Sequence, residues 1–113
     1  MLRCLWTWHR TSGALQRAHD SIDGVLVTAP GIGDYDFYSR YFWPWAGTNE
    51  DPVTGGTHTF LAPYWSRKLG KRKLNSFQCS PRSGFMEVEV QDEGVRIRSQ
   101  AVIVFDGRIR VSD

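Results

Sequence analysis

NEDPVTGGTHTFLAPYWSRKLG, residues 49–70, leads from a polar loop into the clearest helical pattern of the chain. Its apolar residues recur at the three- and four-residue intervals of one helix face: Phe60, Leu61, Tyr64, Trp65 and Leu69. We expect Thr54 or a neighbour to open the helix and Gly70 to end it, since glycine adopts the left-handed conformation of a helix stop. Pro63 falls inside the pattern and removes one backbone donor, so we expect it to kink or divide the helix.

Alternating and β-branched runs on both sides of this helix predict roughly six strands around it. Two runs precede the helix, at residues 24–29 and 34–42, and residues 47–52 are expected to form a loop. The later runs lie at residues 74–80, 85–91, 95–98, 101–105 and 108–111. Within residues 85–98, acids of one strand can face arginines of the next, which favours one hairpin register. Together the patterns predict an α+β domain.

Size and composition exclude several classes of function. The chain has 113 residues, the length of one domain, which excludes a two-lobed enzyme with a complete cleft between domains. Hydrophobic residues make up 41% and charged residues 23%, a globular composition. The net charge of +2 gives no warrant for nucleic-acid binding, and no apolar run approaches the roughly 20 residues of a membrane span. Aromatic residues, at 13%, concentrate between Tyr35 and Trp45 and indicate a tightly filled barrel or a surface that packs against a partner.

Residues 1–23 differ in character from the rest and are interpreted as a non-homologous leader, either disordered or with a targeting role. They contain Arg3, Arg10 and Arg17 and no acidic residue before Asp20. This composition leaves a mitochondrial transit peptide as an alternative, but an untargeted leader is the favoured interpretation. Two cysteines are too few for a disulfide framework, so a reducing compartment is expected. We therefore predict a cytoplasmic protein, or a mitochondrial one if the leader is a transit peptide.

The start of the predicted helix is the candidate binding site, because the first amides of a helix have no acceptors within it. Gly55 and Gly56 let a ligand approach the backbone, and such a helix end binds carboxylate or phosphate without a cationic side chain. Asp51, just upstream, could move a proton on that ligand if a partner acid or base stood opposite. The alternative is that Asp51 or Thr54 only caps the helix and the glycines relieve crowding.

The other reactive side chains are not expected to form sites. His58 on the first helical turn has no second His, Cys or acid at metal spacing, so we expect no metal and a structural histidine. Cys79 lies in a strand pattern and is expected to be a small buried apolar residue. The basic run Lys71–Lys73 is typical of a solvated helix end, with phosphate binding as the alternative.

Beyond these patterns, the order of the motifs resembles the C-terminal lobe of the phenazine-biosynthesis-like (PhzF-like) isomerase family, most closely its animal members. The matching segments are, in chain order, DYDFYSRYF (residues 34–42), EDPVTG (50–55), LAPYW (61–65), LGK (69–71), FQCSPRSG (77–84) and AVIV (101–104), followed by Gly107. The resemblance covers the chain from about Gly24 onward. Residues 24–113 are therefore interpreted as a partial C-terminal lobe.

The resemblance implies a diaminopimelate-epimerase-like fold. In that fold two similar lobes each wrap a mixed β-barrel around one central helix, and the two helix N-termini meet at the active site. The implied chemistry is a cofactor-free proton shift on a small carboxylated substrate. Asp51 carries over as an auxiliary catalytic residue, and the substrate-binding backbone carries over to Gly55, Gly56, Thr57 and His58.

This chain departs from the family pattern in ways that bear on activity. The family commonly has serine where this chain has Gly56, so one hydroxyl donor is missing. By the resemblance, we expect the lobe with the family's main catalytic glutamate and Gly–His pair, and the first strands of the C-terminal lobe, to be missing from this chain. We therefore expect an incomplete lobe, from a fragment or short isoform, that is inactive alone. The rival hypothesis is a non-catalytic interaction module, since a half-lobe exposes aromatic and edge-strand surface that could bind a protein partner or form a homodimer.

Overall fold

The computed structural model describes residues 12–112, which contain two α-helices, one 3-10 turn and six strands. The helices are α1, Ser12–Ala18, and α2, His58–Leu69, and the 3-10 turn is Pro44–Ala46. The strands are β1 (Val25–Pro30), β2 (Phe37–Trp43), β3 (Thr48–Asp51), β4 (Lys73–Gln78), β5 (Gly84–Gln91) and β6 (Gly94–Ser99).

The six strands form one mixed sheet in the order β1-β2-β4-β5-β6, with β3 paired to β2 beside this path. β2 and β4 are parallel, with Tyr38 opposite Phe77, and the other pairs are antiparallel. Because parallel neighbours need a crossover connection, the chain passes from β2 to β4 through α2. That crossover places the start of α2 next to the end of β3.

The core lies between α2 and one face of the sheet. The sheet contributes four buried side chains and the helix three: Phe37, Leu74, Met86 and Val88 from the sheet, and Leu61, Ala62 and Trp65 from the helix. The indole of Trp65 stacks on the Phe37 ring, with centroids 5.8 Å apart, and its Nε1–H donates to Thr28 Oγ1 at 2.9 Å. This packing fixes the rotation of α2, and hence the direction of its first turn.

The helix predicted from the apolar pattern is present, with a different start. Residues 55–57 form a turn, α2 begins at His58, and Gly70 ends it in the left-handed conformation with φ 67°. Pro63 does not divide the helix. The one bond that it removes is to the carbonyl of Thr59, an exposed residue whose carbonyl water can solvate, so a single helix is retained.

The strand predictions are confirmed where the pairing is local or the pattern is strong, which covers β1, β2, β4, β5 and β6. The loop predicted at residues 47–52 is wrong, because Thr48–Asp51 pairs with β2. The strands predicted at residues 101–105 and 108–111 are also wrong, since residues 100–112 have no regular structure and no strand partner within the described chain. The α+β class is confirmed. The described strands form an open sheet with α2 on one face, however, and α1 adds a second helix.

The part of the predicted leader that the structure describes, residues 12–23, contacts the 3-10 turn. Gln16 Nε2 donates to the Pro44 carbonyl at 3.0 Å, and Trp45 Nε1 donates to the His19 carbonyl at 2.9 Å. Residues 1–11 lie outside the described residues, so the interpretation of the leader stays a prediction. Among residues 12–112, neither helix is long and apolar enough to cross a membrane.

Candidate functional site

The loop between β3 and α2 is held in place by its own polar side chains. Thr54 Oγ1–H donates to Asp51 Oδ2 at 2.5 Å, which draws the ends of the Asp51–Thr54 segment together. Thr57 Oγ1–H then donates back to the Thr54 carbonyl at 3.1 Å. The Asp51 carboxylate is thus fixed next to the first turn of the helix.

The backbone at the start of α2 has three amides available to a ligand. The amides of His58 and Thr59 donate to the carbonyls of Gly55 and Gly56 at 3.0 and 3.2 Å. Within the described residues, no acceptor lies within hydrogen-bond distance of the amides of Gly55, Gly56 or Thr57. Unpaired amides at a helix start carry partial positive charge and favour an anion.

Gln78, at the end of β4, is a site residue that the sequence analysis did not single out. Its side chain is 1% exposed; its Oε1 accepts from the Thr54 amide at 2.8 Å, and its Nε2 donates to the Asp51 carbonyl at 2.8 Å and to Thr54 Oγ1 at 3.0 Å. Because this buried amide uses both its donor and its acceptor on the loop, it holds the Asp51–Thr54 segment against the end of β4. The available signal was polarity on the inward face of a strand, where Ser76 and Gln78 follow Leu74.

An open cavity of about 430 Å³ lies above this loop. The loop and the helix start supply the polar part of the lining, which is Asp51, Thr54, Gly56 and Thr57. The rest of the lining is largely aromatic and aliphatic: Gly24, Leu26, Tyr41, Trp43 and Phe60. The structure therefore brings together Asp51, Gly56 and Thr57 of the predicted site on one concave surface. Asp51 is the only carboxylate in this lining.

Gly55 and His58 are the members of the predicted site that do not line the cavity, and His58 is the one that lies in the core. Its side chain is fully buried, with Nδ1 2.7 Å from the Thr54 carbonyl and Nε2 3.0 Å from Ser76 Oγ. Since a carbonyl only accepts, the proton sits on Nδ1 and Nε2 accepts from the Ser76 hydroxyl. Burial lowers the pKa of His58, so the neutral ring is favoured. His58 joins helix to sheet, and its backbone amide is already bonded to Gly55.

The two acids before Pro52 point in different directions. Glu50 forms a two-point ion pair with Arg40, at 2.7 Å to Nε and 2.9 Å to Nη2, and both side chains are 12% exposed. The hydrogen bond to Glu50 raises the pKa of Arg40 and outweighs the effect of its burial. Glu50 is therefore a structural residue, which leaves Asp51 as the acid at the cavity. Across residues 12–112, no three His, Cys, Asp or Glu side chains converge on a point suited to a metal ion.

The basic residues after α2 are paired with acids rather than collected into a patch. Lys71 contacts Asp36 at 2.5 Å, Arg72 contacts Asp92 at 2.8 Å, and Lys73 lies 3.9 Å from Glu89. These contacts agree with a solvated helix end. Cys79 is 3% exposed, and burial raises the pKa of its thiol, as befits a small core residue.

Comparison with known proteins places this mixed sheet and its crossover helix in one class, the PhzF-like proteins. The model of the family described as "Phenazine biosynthesis-like protein" (PhzC-PhzF) matches residues 10–107, and the chain belongs to this family. The match includes residues 10–23, part of the segment interpreted as a leader. The family includes proteins named as isomerases.

Individual relatives agree with this assignment. The chain is 54% identical over 94 residues to phenazine biosynthesis-like domain-containing protein 2 of Mus musculus, covering 78% of this chain and 33% of the relative. It is 48% identical over 89 residues to "Uncharacterized isomerase PA3578" of Pseudomonas aeruginosa, covering 79% of this chain and 34% of the relative. The chain thus spans about a third of the length of the curated relatives it matches.

Solved structures extend the likeness to the fold. A putative phenazine biosynthesis PhzC/PhzF protein from Clostridium difficile superposes with a TM-score of 0.83 at 38% identity, covering 96% of this chain and 41% of the other. A PhzF-family protein from Enterococcus faecalis gives a TM-score of 0.68 at 41% identity, covering 80% of this chain and 35% of the other. The described sheet and helices are therefore part of the PhzF fold.

Proposed function

We propose that this chain carries one half of the active site of a PhzF-family isomerase that acts on a small carboxylated substrate. The amides of Gly55, Gly56 and Thr57 bind the substrate carboxylate, and Asp51 orients the substrate or handles a proton. The observation that carries this proposal is that Asp51 and the amide-bearing residues Gly56 and Thr57 line one cavity. The cavity-lining residues all fall within the segment that matches the family model.

The proposed reaction is a proton shift, which moves one hydrogen between two atoms of the substrate and changes no oxidation state. It needs no redox cofactor. It does need an acid or base on each side of the migrating proton. Asp51 supplies one, and the resemblance places the main one, a glutamate, in the other lobe.

We further propose that the chain is inactive by itself. The cavity is open, so water has access to a bound substrate, and Asp51 is the only carboxylate in its lining. Exclusion of water and a second titrating group each contribute substantially to proton-transfer catalysis. Deuterium exchange at a substrate carbon measures this directly, and exchange above background with the purified chain would contradict the proposal of inactivity.

Carboxylate binding is tested separately from catalysis. Benzoate is the probe, because its ring suits the aromatic walls, and benzamide is the uncharged control of the same shape. In nitrogen-15 NMR spectra, benzoate should shift the amides of Gly55, Gly56 and Thr57, and benzamide should not. Equal shifts with both compounds, or none with benzoate, would show that the helix start is not an anion site.

A matched variant sharpens this test. Nothing lies within 4 Å of a Cβ atom built on Gly56, so the backbone leaves room for the family's serine in Gly56→Ser. One added hydrogen bond to a carboxylate is worth about 1.5–3 kcal/mol, so benzoate should bind roughly tenfold or more tightly. Asp51→Asn tests the effect of charge. It removes a negative charge next to the bound carboxylate, so it should also tighten benzoate binding. Weaker binding by Gly56→Ser would argue against a carboxylate at this amide.

The second candidate function is a non-catalytic interaction module. The observation that favours it is exposed apolar surface on and beside α2, where Phe60 is 57%, Tyr64 41% and Trp43 38% exposed. Exposed patches of this kind bind partners or drive association. Binding of a dye that reports exposed apolar surface distinguishes the two candidates. A chain that binds no dye would contradict the interaction module. Benzoate binding tests the half-site separately, because it does not depend on exposed apolar surface.

A further inference from the structure

Tyr41 lies in the cavity at a point where three strands run side by side. Its strand, β2, pairs with β1 on one edge and with β3 on the other, so Tyr41 stands between Leu26 and Asp51. All three residues line the cavity, which means that their side chains share the face of the sheet beneath α2. The Cβ atoms of such neighbours are about 5 Å apart. Tyr41 is therefore part of the same concave surface as Asp51.

The backbone of Gly24 determines where the Tyr41 hydroxyl lies. A Cβ atom built on Gly24 would collide with Oη, Cζ and Cε2 of Tyr41, so the outer end of the phenol rests directly on this glycine. Glycine permits such a close approach because it has no side chain. The Trp43 ring lies beside the phenol, with ring centroids 6.1 Å apart, and also lines the cavity. Contacts within the chain thus hold the hydroxyl at the β1 side of the cavity.

The cavity therefore has polar groups at two separate places. Asp51 lies on the β3 side of β2, whereas the Tyr41 hydroxyl lies at Gly24, which precedes β1 on the other side. Within residues 12–112 this hydroxyl makes no hydrogen bond, although a phenol can both donate and accept one. A ligand that displaces water from the hydroxyl must replace the lost hydrogen bond or leave the group unpaired.

We propose that Tyr41 determines specificity at this cavity by donating a hydrogen bond to a second polar group of the substrate. The inference rests on the proposed function, in which the substrate carboxylate occupies the amides at the start of α2. The substrate class is then a carboxylate that carries a hydrogen-bond acceptor, such as a carbonyl oxygen, on the far side of an apolar skeleton. A carboxylate without that acceptor is disfavoured, because it leaves the Tyr41 hydroxyl unpaired when it displaces water.

Two pairs of substituted benzoates test this inference on the whole chain. 4-Acetylbenzoate carries a carbonyl oxygen, and 4-isopropylbenzoate has nearly the same shape without an acceptor. The 3-substituted pair presents the same groups closer to the carboxylate. Titration of the Gly55, Gly56 and Thr57 amides gives each dissociation constant. For at least one pair, the ratio of the isopropyl to the acetyl constant should be about fivefold or more larger in the parent than in Tyr41→Phe, which keeps the ring and loses the hydroxyl.

Two further variants separate the position of the hydroxyl from its presence. Gly24→Ala keeps the hydroxyl but places a methyl group where the end of the phenol lies, and Gly24 is not among the glycines with positive φ, so its backbone accepts alanine. This variant should lower the ratio as Tyr41→Phe does. Tyr64→Phe removes a hydroxyl from an exposed tyrosine of α2 outside the cavity lining, and should leave the ratio at the parent value. Amide dispersion in the same spectra shows that each variant is folded.

The outcomes distinguish this inference from the proposed function. Binding of the acids at the amides with one ratio in the parent and in Tyr41→Phe, for both pairs, would overturn the role of Tyr41 and leave the carboxylate site standing. Absence of binding by all four acids would contradict the carboxylate site and, with it, the specificity assigned to Tyr41. A ratio that falls equally in Tyr64→Phe would also overturn the inference, because the effect would then not depend on the cavity.

Discussion

His58 has the structural role that its lone position on the first helical turn predicted. It stands at the helix start, where the family resemblance puts substrate-binding backbone, yet its ring lies in the core between the Thr54 carbonyl and Ser76. A buried neutral imidazole of this kind makes folding sensitive to pH. In the charged form Nε2 also carries a proton, and the only acceptor near it is the Ser76 hydroxyl oxygen. Burial further disfavours the charge and lowers the pKa of His58.

The direction of that sensitivity follows from the lowered pKa. Below the ordinary pKa of about 6.5, an unfolded chain binds a proton at His58 while the folded chain does not. Stability is therefore full above neutral pH and falls as the pH drops below about 6.5, by at most about 1.4 kcal/mol per pH unit. Urea unfolding at a series of pH values measures this slope. His58→Asn, which keeps a donor for Thr54, should flatten it, whereas the control His19→Asn at an exposed site should not. An unchanged slope in His58→Asn would assign the effect to other groups.

Gln78 supports a second prediction at the residue scale. Gln78→Leu leaves the Thr54 amide and the Asp51 carbonyl without their buried partners, so we expect a loss of about 2–3 kcal/mol in the free energy of unfolding. Gln78→Glu keeps the acceptor for Thr54 but loses the donor, and should weaken benzoate binding through its negative charge. Chemical denaturation and the amide titration give the two readouts. Wild-type values for both quantities in Gln78→Leu would show that the loop holds its shape without this brace.

At the scale of elements, ion pairs between strands differ in worth according to burial. In the β5–β6 hairpin, Arg98 contacts Glu87 and Arg96 contacts Glu89, which confirms the register expected from the charges. These pairs are largely exposed, whereas Arg40 and Glu50, which join β2 to β3, are 12% exposed. Water screens the exposed pairs of the hairpin, so each contributes little to stability. The Arg40–Glu50 pair is largely buried, so removing one partner is costly.

Two alanine substitutions compare these ion pairs. Glu50→Ala leaves the guanidinium of Arg40 without its carboxylate in a largely buried position, so we expect a loss of about 2–4 kcal/mol in the free energy of unfolding. Glu87→Ala removes an exposed partner of Arg98 and should cost about 0.5 kcal/mol or less. Denaturant unfolding of both variants under one condition gives the comparison. Equal losses would show that burial does not separate the two pairs.

The elements also show which parts of the fold the sequence could predict. The apolar stripe from Phe60 to Leu69 and the alternation in β5 act over a few residues, so local pattern was sufficient for them. β3 exists because Thr48–Asp51 meets β2, a contact that polar sequence does not encode. The strands expected at residues 101–105 and 108–111 failed for the converse reason: strand composition was present and a partner was not. At the site, Asp51 and the glycines followed from a motif, whereas the role of Gln78 depends on β4 passing beneath the loop.

At the scale of the whole molecule, the described core and the segment after β6 are energetically separate. The core clusters contain no residue after Ile97, and residues 100–112 make no backbone hydrogen bond to the rest of residues 12–112. Folding of the described core should therefore be indifferent to this segment. A single truncation tests this expectation.

A chain that ends after Ser99 retains every strand and helix that the structure describes. The truncated and parent chains should have free energies of unfolding within about 0.5 kcal/mol of each other, because residues 100–112 are exposed and make no backbone hydrogen bond to the rest of the described chain. Urea denaturation of both chains in dilute solution measures the difference. A truncated chain that is markedly less stable when dilute would mean that residues 100–112 pack against their own core.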